Sequence, residues 1–232
     1  MKTRRPLGAG LTLLAAAALC ASTRSASGPP GPPGPSTVWV ETFASAASFR
    51  ADWTVKKWRG AVDLLFGTWE GLPTLNLVSR SSSWAFLRRV EVDLSKTPVL
   101  AWSWRVDAYP PSGDGRRAES DDEPAQVYLF FPGKGLAGKL QPRILGYTWE
   151  TVPEAGTFYH SPKNDETRVF VLRNRRDGQG VWASEARDVA GDFQKAFGEP
   201  APAPLAVCFQ IDSDDTASSA RSAFAALRFT SR

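Results

Sequence analysis

Few residues in this sequence could take part in catalysis, and they exclude several common chemistries. His160 is the single histidine, so a multi-histidine metal site is excluded and a Ser-His-Asp triad would need that one side chain. The run Tyr-His-Ser-Pro-Lys-Asn around it is typical of a solvent-facing loop. The sequence has neither a Walker-type phosphate loop nor a Gly-x-Gly-x-x-Gly turn after a strand. Nucleotide cofactors are therefore disfavoured.

Paired carboxylates are the second candidate, because a glycoside hydrolase needs two of them facing each other across a cleft. Glu91 and Asp93 are two residues apart, so they would share one face of a strand. That face is opposite to the apolar residues of the same segment, and solvent exposure explains the pair equally well. Glu185 and Asp188 are also open to structural roles. No catalytic residue is assigned from the sequence.

Two acidic runs lie at the ends of predicted strands and suggest a structural calcium ion. Carboxylates and backbone carbonyls in such loops can supply the roughly six to eight oxygens that calcium takes. Solvated acids, or a turn whose side chains cap backbone N–H groups, fit the same runs. The predicted calcium ligands are Asp121, Asp122, Asp212, Asp214 and Asp215.

Aromatic residues beside arginine predict a ligand-binding surface. Most of the nine tryptophans follow apolar periodicity and are predicted to be core. Tyr147 and Trp149 alternate with Arg143 on one face of a strand, and an aromatic plane beside a guanidinium can stack on and hydrogen-bond to a sugar ring. Arg105 and Tyr128 join this surface if their strands are neighbours of that strand. A packed second face of a sandwich explains the same residues, so both interpretations stay open.

Short alternating segments separated by turn residues fill the chain from residue 37 onward. Leu100, Trp102, Trp104 and Val106, for example, alternate with more polar residues as in a half-buried strand. The series predicts an all-β, jelly-roll-like β-sandwich. The predicted strands are 37–43, 53–58, 73–79, 84–94, 99–106, 126–131, 142–149, 167–174, 180–187, 205–212 and 222–230.

One short helix is predicted after residue 188. Asp188 fits the N-cap, Val189, Phe193 and Phe197 form a stripe spaced by four, and Gly198 ends the helix. A helix of about two and a half turns does not persist without packing. We therefore expect its apolar stripe to dock on the sandwich.

The first residues have the layout of a bacterial secretory signal peptide, with basic residues, a short apolar run and then small residues. The apolar run is too short to span a bilayer. The sequence thus predicts a signal peptide over 1–27, a Gly/Pro-rich linker over 28–36 and a single domain over 37–232, exported to the periplasm or secreted. Acylation of Cys20 would instead anchor a lipoprotein, but Leu19 stands where a small residue is expected.

Removal of the signal peptide makes the domain neutral. The whole chain has 28 Lys+Arg against 24 Asp+Glu, and four basic residues leave with residues 1–27, so 24 stand against 24. A neutral domain lacks the basic field of a nucleic-acid binder. Cys208 is then the single remaining cysteine, so no intrachain disulfide is possible and a hydrophobic core must hold the fold.

A set of short motifs runs along the predicted domain. They are Leu100-Ala-Trp-Ser-Trp-Arg-Val106, Asp121-Asp-Glu-Pro-Ala-Gln-Val-Tyr128, Tyr147-Thr-Trp149, Trp182 with Glu185, Arg187-Asp-Val189, Asp192-Phe193, Phe197-Gly198 with Pro200, and Asp212-Ser-Asp-Asp-Thr216. In combination, from about Val38 to Phe229, the chain resembles the bacterial domain-of-unknown-function family DUF3047. The resemblance implies an exported protein of uncharacterised function, with a sandwich like galactose-binding-like, concanavalin-like and other carbohydrate-binding jelly rolls. It implies no catalytic residues.

These observations favour a non-catalytic β-sandwich that binds a glycan or another cell-envelope component. One alternative is a polysaccharide-active enzyme with an unassigned carboxylate pair, and another is a structural envelope protein that binds other proteins. A deep acid-lined cleft would favour the enzyme, a shallow aromatic-lined concavity the binding module, and a flat apolar patch the interaction protein.

Overall fold

The computed structural model describes residues 37–134 and 141–232. The predicted signal peptide and linker, residues 1–36, lie outside the described residues. Within those residues the chain forms thirteen strands, two α-helices and one short 3-10 helix at Arg175–Asp177. In chain order the strands and α-helices are β1 (Thr37–Glu41), α1 (Ala46–Asp52), β2 (Thr54–Arg59), β3 (Val62–Trp69), β4 (Leu72–Arg80), β5 (Ser83–Arg89), β6 (Val99–Ala108), β7 (Ala125–Phe131), β8 (Arg143–Glu150), β9 (Phe158–His160), β10 (Thr167–Asn174), β11 (Ala183–Asp188), α2 (Val189–Phe197), β12 (Ala206–Asp212) and β13 (Ser219–Thr230).

The described strands form two sheets. The six-stranded sheet has the order β11-β6-β13-β4-β3, and β1 also pairs with β13. The seven-stranded sheet has the order β2-β5-β12-β7-β8-β10-β9. Neighbouring strands run antiparallel, except for the parallel pair β8 and β10. This arrangement confirms the predicted all-β, jelly-roll-like β-sandwich.

Large apolar side chains on the inner faces of the two sheets fill the space between them. Trp104 of β6 meets Trp149 of β8 with ring centroids 5.7 Å apart, and Phe209 of β12 meets Phe224 of β13 at 4.7 Å. All four side chains are fully buried, and such burial stabilises the fold by roughly 1.5–3 kcal/mol for each large side chain. Because strand side chains alternate, every second residue of these strands lies on an outer face of the sandwich.

Helix α2 has the predicted bounds and caps. The Asp188 side chain accepts a hydrogen bond from the Gly191 backbone N–H at 3.2 Å, and the helix ends at Gly198, where φ is 74°. Val189 and Phe193 are fully buried. The predicted docking of the helix stripe on the sandwich is therefore confirmed.

Helix α1 is an addition to the predicted fold, which had one helix. Ser45 caps it by accepting a hydrogen bond from the Ser48 backbone N–H at 3.1 Å. Phe49 is its one buried residue and stacks on Trp53 with centroids 5.2 Å apart. A single apolar position gives no helical periodicity, so the sequence pattern does not reveal this helix.

Strand β3 was also missed by the sequence pattern. Its inner face holds Leu64 and Phe66, packed against the core, but Leu65 between them is apolar and half exposed. The three apolar residues in a row hide the alternation that identifies a half-buried strand. In the part of the chain that the structure describes, no helix is both long enough and apolar enough to cross a membrane.

Candidate functional site

The sandwich separates the residues that were predicted to form one ligand-binding surface. Strand β6 belongs to the six-stranded sheet, whereas β7 and β8 are neighbours in the seven-stranded sheet. Arg105 and Tyr128 alternate with buried core residues of β6 and β7. They therefore lie on the outer faces of different sheets, and they cannot bind one ligand together.

Tyr147 and Trp149 are core residues, so the predicted exposed aromatic surface is wrong. Both side chains are 0% exposed. The Trp149 indole N–H donates to the Asn174 carbonyl oxygen at 3.0 Å, and the Tyr147 hydroxyl donates to Asp192 Oδ2 at 3.0 Å. The apolar ring area is thereby buried while each polar atom keeps a partner. The packed second face of the sandwich, the other interpretation of this series, is what the structure contains.

Arg143, the third residue of that series, holds the end of α2 instead of a ligand. It is 7% exposed and its guanidinium lies 4.9 Å from the Phe193 ring. Its Nε donates to the Pro132 carbonyl oxygen at 3.3 Å, and the guanidinium also pairs with Glu199. A planar cation with aromatic, carbonyl and carboxylate partners is already satisfied. The predicted ligand-binding role of Arg143 is therefore wrong.

The predicted calcium ligands lie close together but have protein partners. The Asp122 carboxylate accepts from the backbone N–H groups of Asp215 and Thr216 at 3.0 and 2.7 Å, and Asp212 Oδ1 accepts from the Glu123 N–H at 2.7 Å. These two carboxylates cap backbone donors, as in the alternative interpretation of the acidic runs.

Lys163 takes the position of a cation between two more of these aspartates. Its Nζ lies 3.1 Å from Asp121 Oδ2 and also pairs with Asp215. The described residues contain no group of three or more His, Cys, Asp or Glu side chains placed to hold a metal ion. These contacts favour the capping interpretation of the acidic runs, and the calcium site at Asp121, Asp122, Asp212, Asp214 and Asp215 stays a prediction.

The outer face of the six-stranded sheet forms a curved trough. Trp69 ends β3 and Trp182 directly precedes β11, and these strands are the two edges of the sheet. The two indole rings nevertheless stack, with centroids 4.5 Å apart and planes at 18°. Because residues from opposite edges touch, the face between them must be concave. We call this surface the tryptophan trough.

Small residues make the floor of the tryptophan trough. Ala223 and Ala225 of β13 are fully buried there, opposite Asn76 and Thr74 of β4. On the neighbouring strand, Arg105 is opposite Ala223. A floor of short side chains leaves room for the two indole rings above it.

Polar groups line one wall of the trough beside the rings. The Arg105 guanidinium lies 5.2 Å from the Trp182 ring and is held by Asp107, with Nε to Oδ1 and Nη2 to Oδ2 both at 2.9 Å. Ser103 and Ser184 share a hydrogen bond at 2.8 Å. The Trp182 indole N–H is buried and has no hydrogen-bond partner among the described residues, which costs about 1–3 kcal/mol. An acceptor from a ligand would satisfy it.

A second candidate surface lies on the outer face of the seven-stranded sheet. Tyr128 is half-buried there, and its ring leans over Gly146 of β8, where a Cβ would lie 2.5 Å from Tyr128 Cε1. Gln126 and Gln210 lie side by side on the same face, on β7 and β12. Next to them is a group that we call the acid cluster, made of Asp121, Glu123, Glu150 and Asp212.

The carboxyl groups of the acid cluster hold their protons unusually tightly. Burial raises the pKa of Glu150 to about 7. Burial, and then the negative charges of Asp121 and Glu150, raise the pKa of Glu123 well above its ordinary value. The Tyr159 hydroxyl donates a hydrogen bond to Glu150 Oε1 at 2.8 Å. Perturbed carboxyl groups of this kind are frequent in functional sites.

The loop 109–124 closes the acid cluster from above. A Cβ on Gly115 would collide with Glu123 Oε1 and with the Tyr159 hydroxyl, and would lie 3.1 Å from Glu150 Oε1. The loop backbone therefore passes directly over the neighbouring carboxyl groups, which only glycine permits. Glu123 and Glu150 are 2% and 0% exposed as a result.

Sequence reasoning found Arg105, Tyr128, Asp121 and Asp212 but missed the other main residues of the two surfaces. Trp69 was lost with strand β3, although Leu65, Gly67 and Trp69 share the outer face of that strand. Trp182 was noted only as part of a family motif. Glu150 directly follows the Tyr-Thr-Trp motif and lay just beyond the predicted strand 142–149, although an acid that ends a mostly apolar segment is itself a signal.

The two packed sheets define a jelly-roll-like β-sandwich protein. The tryptophan trough lies on one outer face of the sandwich and the acid cluster on the other. The chain belongs to the family described as "Protein of unknown function (DUF3047)", whose model matches residues 51–228. No curated protein matches the chain.

Several solved structures are similar to this one. A family 11 carbohydrate-binding module of a cellulosomal cellulase from Clostridium thermocellum has a TM-score of 0.47 and 8% identity, over 86% of this chain and 95% of that one. A family 30 module from the same organism has a TM-score of 0.44 and 14% identity, over 77% and 90%. The xyloglucanase domain of a Sinorhizobium fredii effector has a TM-score of 0.41 and 11% identity, over 78% of this chain and 93% of that one. At such low similarity, what those proteins bind or cleave says nothing about this chain.

Proposed function

We propose that this protein binds a glycan in the tryptophan trough. The observation that carries the proposal is the stacked pair Trp69 and Trp182 on a concave outer face, with Arg105 against one ring. The apolar face of a pyranose ring packs well on an indole ring, and hydroxyl groups bond to a guanidinium or a carboxylate. Both tryptophans are half-buried, so a ligand has access to them.

The trough is a surface for binding and not for bond cleavage. Glycoside cleavage needs two carboxyl groups free to exchange protons with the substrate. The carboxylate beside the rings, Asp107, is held in a two-point pair by Arg105. A carboxylate paired in this way orients the cation and is not free to act as a general acid. The proposed role of the trough is therefore non-catalytic recognition.

Glycan array binding of the exported domain, residues 37–232, tests the proposal. Trp182→Ala should weaken binding by roughly 1–3 kcal/mol, by analogy with base stacking on aromatic side chains, while the melting temperature stays nearly unchanged. The matched control is Trp58→Ala, which removes a tryptophan that is 56% exposed on the other sheet. Equal glycan retention by Trp182→Ala and the parent domain would overturn the proposal.

Export to the cell envelope is part of the same proposal, and the layout of residues 1–27 supports it. We expect cleavage near residues 20–27, so that the mature chain starts in or just before the Gly/Pro-rich linker. N-terminal sequencing of the protein recovered from the periplasm or the medium checks this. A mature chain that keeps residues 11–19, or a protein confined to the cytoplasm, would contradict it.

A further inference from the structure

We propose that Glu123 and Glu150, beneath residues 111–120 of the loop 109–124, form a second site that hydrolyses a glycosidic bond. This inference goes beyond recognition at the tryptophan trough, and it rests on the proposed function for its substrate class, a glycan. The geometry places two carboxyl groups side by side on the outer face of the seven-stranded sheet, where both surround the same backbone position, Gly115.

The pair lacks the cation that normally accompanies buried carboxyl groups. In the described part of the chain, neither carboxyl group forms an ion pair with Lys or Arg, since Lys163 pairs with Asp121 and Asp215, and Arg116 with Asp114. A buried carboxyl group without a cation destabilises the folded protein. Retention of two of them next to each other indicates that they serve a purpose other than stability.

Unsatisfied acceptors at the same place indicate a missing ligand. Among the residues that the structure describes, Glu150 Oε2 and Gln126 Oε1 are buried and have no hydrogen-bond partner, and both residues are 0% exposed. The Gln126 Nε2 donates to the Glu123 backbone carbonyl oxygen at 3.3 Å, which places its amide beside the Glu123 backbone. Native proteins seldom leave such atoms unpaired. Hydroxyl groups of a sugar are donors that would fill both positions.

The surroundings of the two carboxyl groups assign them different roles. Glu123 keeps its proton, because burial and the nearby charges of Asp121 and Glu150 raise its pKa, and it is the general acid. Glu150 accepts hydrogen bonds from Tyr159 at 2.8 Å and Thr148 at 2.9 Å. These donors stabilise its ionised form, and it is the nucleophile.

The reaction adds one water across the glycosidic bond in two steps, because the two carboxyl groups surround one backbone position and leave no room for water between them. Glu123 gives its proton to the leaving glycosidic oxygen as the bond from that oxygen to the anomeric carbon breaks, while Glu150 bonds to that carbon. The ionised Glu123 then takes a proton from a water molecule whose oxygen displaces Glu150 from the anomeric carbon. Both carboxyl groups thereby return to their starting states.

Substrate reaches the pair when the tip of the loop, residues 111–120, lifts while Glu123 stays in place. The tip is polar, and its backbone bonds are mostly internal, such as Asp114 N–H to Ser120 O at 2.7 Å and Ser120 N–H to Arg117 O at 3.1 Å. A backbone bond from Val152 N–H to Gly113 O at 3.1 Å ties the tip to the segment that follows β8. Lifting such a loop exposes little apolar surface, so it has a small free-energy cost.

An open cleft on the same outer face continues toward the other edge of the sheet. Its volume is about 560 Å³, and Lys56, Leu87, Arg89 and Ala206 are among the residues that line it. Cys208 lies between Leu87 and Tyr128 on the strands that separate the acid pair from this cleft. We expect a polymer bound at the pair to lie across these strands toward the cleft.

The test measures reducing ends released by the exported domain from three soluble polysaccharides, mixed-linkage β-glucan, xylan and galactomannan, between pH 5 and 8. We expect release from at least one of them, and a loss of at least about 100-fold in Glu150→Gln and in Glu123→Gln. Glu91→Gln, which changes an exposed acid on neither surface, is the matched control. The cleavage rate of the parent domain should rise with pH as Glu150 ionises near pH 7. Glu150→Gln should not show this rise of rate with pH.

Release of no reducing ends from any of the three polymers by the folded parent domain, or an unchanged rate in folded Glu150→Gln, would overturn the inference. The proposed function fails separately. If the parent domain is retained on the array but cleaves nothing, the acid pair alone is contradicted. If it cleaves a polymer but is not retained through the tryptophan trough, the binding proposal alone is contradicted.

Discussion

Trp149 and Trp182 share a residue type but differ in environment, and the environment decides their roles. Trp149 is fully buried and its indole N–H has a carbonyl partner. Trp182 lies on an outer face, and its indole N–H has no hydrogen-bond partner in the part of the chain that the structure describes. Within a strand, a shift of one residue moves a side chain from core to surface, so residue type and spacing alone could not tell a stacking surface from a packed core.

Replacing Trp149 by Ala should lower the free energy of unfolding by about 3–5 kcal/mol, because a large buried ring is lost and a cavity remains. Urea denaturation of the domain measures this. Trp58→Ala, the exposed control, should change stability by less than about 1 kcal/mol. Similar small losses in both variants would contradict the placement of Trp149 in the core.

Glu150→Gln should stabilise the domain at alkaline pH. Folding raises the pKa of Glu150 from 4.5 to about 7, so its contribution to stability is present below pH 4.5 and is lost as the pH rises through 7. The neutral amide avoids that loss, and the gain above pH 7 should reach up to about 3 kcal/mol. Urea unfolding of both proteins at pH 4 and pH 8 is the measurement. A difference that does not change with pH would contradict a raised pKa.

Among the elements, regular strands were predictable and short or interrupted ones were not. The alternation of Leu100, Trp102 and Trp104 predicted β6 because its two faces differ clearly in polarity. In β3, Leu65 is apolar on the outer face, and β9 has three residues, too few for any period. The caps Asp188 and Gly198 predicted α2, whereas α1 has one buried residue and no pattern.

Helix α2 should depend on a polar contact at its first turn. Asp192 is 9% exposed and accepts from Arg187 at 2.7 and 2.9 Å and from Tyr147 at 3.0 Å. Asp192→Ala leaves these donors unpaired and should cost roughly 1.5–3 kcal/mol, with faster amide hydrogen exchange in α2.

The matched control for this change is Arg176→Ala. Arg176 pairs with Glu154, and both side chains are largely exposed, so its loss should cost less than about 1 kcal/mol. Equal losses of stability in the two variants would show that the Asp192 contact does not hold the helix.

The loop 109–124 should be sensitive to a single methyl group at Gly115. An added Cβ collides with Glu123 and Tyr159, so Gly115→Ala should lift the loop and speed amide exchange over residues 113–120. The control is Ala118→Gly, at an exposed position of the same loop. Gly71→Ala would be a poorer control: its surroundings are open, but φ is 80° there, a backbone conformation that alanine rarely adopts. Unchanged exchange in Gly115→Ala would contradict the close approach.

For the whole molecule, the sandwich was predictable and the sites were not. Alternating segments and turn residues require two layers that bury their apolar faces, whatever the strand order. The tryptophan trough, in contrast, joins residues from opposite edges of one sheet, Trp69 and Trp182, and depends on how strongly that sheet curves. The acid cluster combines side chains from β8, β12 and a loop. Such contacts follow from strand order, which the sequence does not state.

Recognition of a glycan by the tryptophan trough is the central claim, and indole N–H signals in ¹H–¹⁵N spectra test it most directly. The nine tryptophans give separate probes, which single Trp→Phe variants assign. On titration with a glycan retained on the array, the signals of Trp69 and Trp182 should shift together and saturably, while that of the buried Trp149 stays in place. Saturable binding that leaves the Trp69 and Trp182 signals unmoved would contradict the account.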